Sequence, residues 1–155
     1  MKPEIKKRWI DALKSGDYVQ GKEALCDRGD SFCCLGVLCD LYIQDTKNGE
    51  WLTYDEDEDG FADETVRFIV RADNNYMFNV VEAEILPMIV AEWAGIPTDK
   101  QKVSGRYSSC DIFVPKQEGY NSNRWDIPPD MITLAELNDL GASFEYIADV
   151  IERNL

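Results

Sequence analysis

The segment FCCLGVLCDLYIQ, residues 32–44, constrains this chain more than any other. Cys33, Cys34, Leu35, Val37, Leu38, Leu41 and Tyr42 leave almost no polar face at helical spacing. A helix that is apolar all round must be buried all round. Asp30 or Ser31 has the side chain to cap it, so the spacing predicts a central helix over 31–44. The rest of the fold has to wrap around that rod.

The flanking patterns supply the shell. PEIKKRWIDALK places Ile5, Trp9, Ala12 and Leu13 on one face of a helix that Ser15-Gly16 ends. YVQGKEALCDRGDSFC reads as extended chain with a turn at DRGD. WLTY (51–54) and TVRFIVR (65–71) are the arms of a hairpin, and YMFNVV (76–81) is a third strand. LPMIVAEWAGI is a helix with Pro87 near its first turn and Gly95 at its stop. Residues 97–125 are irregular, with strand candidates at KVSGRY and DIFV. Thr133 and Glu136 form a capping-box pattern before LAELNDL, Gly141 ends that helix, and Ser143 caps FEYIADVIERNL. The prediction is an α+β fold, one compact domain over 1–155, with a buried central helix, a small mostly antiparallel sheet and a C-terminal helical hairpin over 133–154.

Charge and residue usage exclude more than they select. The chain has 155 residues and a net charge of −14, which repels nucleic acid and anionic lipid and favours basic proteins or cations as partners. Its 45% apolar content is enough for a core, which argues against disorder. No histidine is present, so imidazole metal ligands and Ser-His-Asp or Cys-His catalysis are excluded. Five cysteines, an odd number, with no secretory signal pattern, point to reduced thiols in a cytoplasm. ILPMIVA at 85–91 is the longest apolar run and is too short to span a bilayer, so no membrane association is expected.

Three places invite a functional reading. DEDEDGFADE (55–64) carries seven carboxylates in ten positions. Asp55, Asp57, Asp59, Gly60 and Asp63 fit early positions of a calcium loop, but Val66 stands where the bidentate Glu should be, and the flanks read as strands. A solvated hairpin tip is the simpler reading. Any calcium held at 55–63 would bind on the order of 10⁻⁴ to 10⁻³ M, and no other cofactor is expected. A metal-dependent enzyme using Asp55, Asp57 and Asp59 is the weakest alternative. The segment 100–125 runs the other way, with a local charge of +3. There Lys102, Arg106 and Arg124, with Tyr107 and Trp125, are residue types that hold a phosphate and stack on a base, although a polar surface loop salt-bridged to its acidic surroundings is the simpler reading. The last helix offers Glu145, Asp149 and Glu152 against Arg153, so a helix-turn-helix reading of the C-terminal pair fails on phosphate repulsion. Cys26, Cys33, Cys34 and Cys39 lack CxxC spacing and read as apolar core fillers.

WIDALKSGDYVQGKEAL, FCCLGVLCDLY, LAELNDLGASFEYIADVIE and, more loosely, LPMIVAEWAGI resemble blocks of a family of small uncharacterised bacteriophage and prophage proteins. The resemblance covers both ends and the centre, and DEDEDGFADE falls in a stretch that varies in length between the blocks. It implies a setting, the cytoplasm of an infected bacterium, and carries no activity or catalytic residue with it. Together these readings predict a non-enzymatic accessory protein that binds and neutralises a host factor, possible anti-phage defence proteins included, through an acidic surface. Asp55, Asp57, Asp59, Glu145, Asp149 and Glu152 would form that surface, and a nucleic-acid mimic is a special case of it. The alternative is a nucleotide-sequestering protein using Lys102, Arg106, Tyr107, Arg124 and Trp125. The sequence sets no oligomeric state.

Overall fold

A computed structural model describes residues 1–54, 65–71, 78–80, 84–97, 109–122, 125 and 127–155. Helix α1 (Pro3–Ser15) starts with proline in its first turn, where no intrahelical N–H is needed, and stops at Gly16, φ +80°. Its buried stripe is Ile5, Trp9 and Leu13. Trp9 is wholly buried, and its indole N–H donates to the Cys34 carbonyl at 2.9 Å, tying α1 to the start of the central helix. Three short strands follow: β1 (Val19–Gln20), β2 (Cys26–Asp27) and β3 (Ser31–Phe32). The turn between β2 and β3 uses left-handed residues Arg28 and Gly29, and β1 pairs with β3 in parallel.

The central helix α2 spans Cys34–Thr46, and eight of its residues from Cys34 to Tyr42 are buried. Its start corrects the sequence reading. Neither Asp30 nor Ser31 is the cap, because Ser31 and Phe32 are drawn into β3. Cys33 is the N-cap instead, its thiol sulfur accepting from the Gly36 N–H at 3.4 Å. Pairing with two strands satisfies more backbone than one further half-turn of helix would, so the helix yields those residues.

Beyond α2, β4 (Glu50–Tyr54), β5 (Thr65–Arg71) and β6 (Phe78–Val80) form the expected antiparallel meander. β7 (Leu86–Pro87) leads directly into α3 (Met88–Ala94), which Gly95 ends at φ +69°. β8 (Ser109–Cys110) pairs with β7, and β9 (Phe113–Pro115) pairs with β10 (Met131–Thr133). The strand expected at DIFV is therefore β9, and the one at KVSGRY lies outside the described residues.

The C-terminal pair forms as its caps predict. Thr133 Oγ1 accepts from the Glu136 N–H at the start of α4 (Leu134–Asp139), and Ser143 Oγ from Tyr146 N–H at the start of α5 (Phe144–Asn154). The fold is α+β, but its described strands make four small sheets rather than one. The physical reason is α2, which touches α1, α3, α4, β3 and β7 and so separates the strands around it. An edge-to-face line of rings, Tyr18–Phe32–Trp51–Phe68–Tyr42–Trp93, runs between these layers with centroid spacings of 5.4–6.0 Å. Among the described residues no helix is long and apolar enough to cross a membrane.

Candidate functional site

The acidic residues expected to face a partner divide in two. Asp55, Asp57, Asp59 and Asp63 lie outside the described residues, and so do Lys102, Arg106, Tyr107 and Arg124 of the basic segment. Trp125 is described and stands 93% exposed, which leaves its ring available for stacking. Glu145, Asp149 and Glu152 are all on the exposed side of α5, whose other side buries Phe144, Ile147, Ala148, Val150 and Ile151. The tertiary structure brings these acids against α1, the main source of cations nearby.

Lys14 Nζ meets Asp149 Oδ1 at 2.6 Å, and Lys6 Nζ donates to the Glu152 carbonyl at 2.8 Å. The hydrogen bond to Lys14, then its charge, holds the Asp149 carboxyl below its ordinary 3.8. The same bond raises Lys14 above its ordinary 10.5 against the opposing cost of desolvation. Asp149 is lowered, so its contribution is present above about pH 4 and disappears as pH falls through the folded-state value. Lys14 is raised, so its share is full below 10.5 and disappears as pH climbs through its folded-state value. Carbon-detected NMR titration should find Asp149 titrating low in the parent and returning upward in Lys14→Met. The pair is exposed, so its effect on melting temperature should be slight.

A groove of about 520 Å³ opens where α1 ends beside α2. Asp11, Ala12, Ser15, Asp17 and Tyr18 line one side, and Leu41 and Gln44 the other. The sequence reading missed it, because each residue alone is an ordinary helix or turn residue. Behind its Tyr18 wall stands Asp40, a half-buried carboxylate. Asp40 Oδ2 accepts from the Tyr18 hydroxyl at 2.7 Å and from Gln44 Nε2 at 2.8 Å, and Oδ1 accepts from the Trp51 indole N–H at 3.2 Å. These three donors are neutral, so they orient the carboxylate without cancelling its charge. Burial, and then the bond to Asp40, pushes the Tyr18 phenol up to about 12. Its proton therefore stays on Tyr18 at neutral pH.

Cys26, Cys34 and Cys39 are buried as their spacing suggests, and Cys33 is buried too but also caps α2. All five are reduced and buried. Desolvation raises each thiol, to about 11 for Cys26, Cys33 and Cys110 and well above the ordinary 9.0 for Cys34 and Cys39. A thiol held protonated and covered is a poor nucleophile. At pH 7.5 the native protein should react with a chromogenic disulfide reagent only at its unfolding rate, whereas the urea-unfolded chain should titrate five thiols within seconds to minutes. A fast-reacting native thiol would contradict this. Among the described residues no group of three or more Cys, Asp or Glu is arranged to hold a metal ion.

A family model described as a domain of unknown function (DUF8296) matches residues 1–155, the full length given. No curated protein and no solved structure matches the chain.

Proposed function

The chain belongs to the DUF8296 family, and on that premise we propose that it is a non-enzymatic bacteriophage or prophage accessory protein acting in the bacterial cytoplasm. It binds a basic host protein, a defence factor being the natural target in that setting, and neutralises it. The observation that carries this reading is the display of Glu145, Asp149 and Glu152 on the outer side of α5, a helix whose inner side is locked in the core. A rigid frame presenting carboxylates, on a chain of net charge −14, attracts positive surfaces and accelerates their approach. The phage setting rests on the resemblance of the FCCLGVLCDLY and LAELNDLGASFEYIADVIE blocks. Supporting the non-catalytic part, the thiols are held protonated and the Asp40 carboxylate is tied to three side chains.

Affinity capture from host lysate at low salt tests the reading. One basic protein should be retained, released by moderate salt, and weakened by Glu145→Gln with Glu152→Gln. An empty capture at low salt counts against it. Trp125 favours a second reading, in which its exposed ring stacks on a nucleotide whose phosphate is held by Lys102, Arg106 and Arg124, with Tyr107 alongside. A thermal-shift screen of mono-, di- and cyclic nucleotides separates the two, since only a nucleotide binder is stabilised by one of them.

A further inference from the structure

We propose that the groove between the end of α1 and α2 seats a lysine side chain of the protein partner, an inference that rests on the acidic-surface reading and gives it an anchor. The groove has the two halves such a side chain needs. Ala12 and Leu41 supply apolar surface for the aliphatic stem, and Asp11 and Asp17 supply carboxylates for the ammonium head. The helix end adds to this. α1 finishes at Ser15, which lines the groove, so the negative end of the helix dipole lies beside it.

Two of the nearby cations are turned elsewhere. Lys14, in the last turn of α1, reaches across to Asp149 on α5, and Arg8 reaches to Asp45 at 2.6 Å. Lys7 does pair with Asp11, but that contact is exposed on both sides and is readily exchanged for an incoming ammonium. Asp40 deepens the field from behind, since its partners Tyr18, Gln44 and Trp51 carry no positive charge. Lysine suits the groove better than arginine. Its carboxylates come from separate positions on either side of a helix end, which fits three freely rotating donors better than a planar fork.

The test uses an acetylated, amidated tetralysine peptide and the same peptide with every ε-amine acetylated. Calorimetry gives the affinity, and backbone amide NMR gives the place. The lysine peptide should bind and shift resonances of residues 11–18 and 40–44, and ε-acetylation should abolish both effects. Asp11→Asn with Asp17→Asn should weaken binding about tenfold, whereas Glu118→Gln with Asp130→Asn, an equal loss of charge at exposed positions outside both acidic surfaces, should change it less than about twofold. All four substituted side chains are exposed, so both variants should fold. Equal losses in the two variants, shifts centred elsewhere, undiminished binding of the acetylated peptide, or no binding would each overturn the proposal. The broader reading has its own outcome: capture of a basic host protein that the groove variant leaves intact keeps that reading and removes the groove from it.

Discussion

Gly36→Ala is expected to cost at least about 3 kcal/mol, the upper end of what overpacking does. Gly36 lies in the first turn of α2, where the helix crosses the Leu25 backbone. A Cβ there would sit 1.7 Å from the Leu25 carbonyl oxygen and 2.6 Å from its carbon. That carbonyl cannot swing away freely, because it accepts the Cys33 N–H at 3.2 Å and so helps hold the strand-to-helix corner. Relief requires α2 and the segment before β2 to separate, which opens the centre of the core. For a chain of this length the melting temperature should fall by roughly 10 °C. Failure to fold, seen as lost far-ultraviolet helical signal, is the extreme of the same outcome. Gly16→Ala is the control. Its Cβ meets nothing within 4 Å, but φ is +80°, so only the left-handed penalty of about 1 kcal/mol applies. Equal melting temperatures for Gly36→Ala and the parent would refute the close approach.

Asn138→Leu should cost about 3 kcal/mol through unpaired buried groups rather than lost volume. Asn138 is fully buried. Its Oδ1 accepts from Gln20 Nε2 at 3.0 Å and from the Cys34 N–H at 3.3 Å, while Nδ2 donates to the Gly21 carbonyl at 2.8 Å. Gln20 continues the network, donating to the Ala142 carbonyl at 2.7 Å and accepting from the Phe144 N–H at 3.1 Å. Cys34 and Phe144 are the first residues of α2 and α5, so two helix starts are satisfied by side chains more than a hundred positions away. Urea denaturation should show the loss, and hydrogen exchange at the Cys34 amide should accelerate with it. Gln20→Leu removes part of the same network, so the double variant should cost less than the sum of the two. Strict additivity would show that the two side chains act separately.

Much of the fold was legible locally. Apolar spacing placed α1, α2, α3 and α5, and Gly16, Gly95 and Ser143 act where their chemistry suggested. Thr133 caps α4 in the same way. The all-apolar run of α2 announced a buried helix correctly, but its first residue was misplaced, since Ser31 has a good capping side chain and only the pairing of β3 with β1 and β2 removes it from the helix. The groove was not legible. Residues 11–18 and 41–44 meet there only because Trp9 and Cys34 pin α1 against α2. Nor did any spacing foretell that Tyr18, Gln44 and Trp51 converge on Asp40.

Local pattern alone was therefore enough for the existence of the helices, the burial of Cys26, Cys33, Cys34 and Cys39 and the sign of the net charge. Those properties depend on side chains a few positions apart or on a simple sum of charges. Packing settled which carboxylates are held by α1 lysines, which line an open groove, and how Asn138 and Gln20 between them satisfy two helix starts. These depend on contacts between distant segments, and such contacts follow from how α2 is packed on every side rather than from any local pattern.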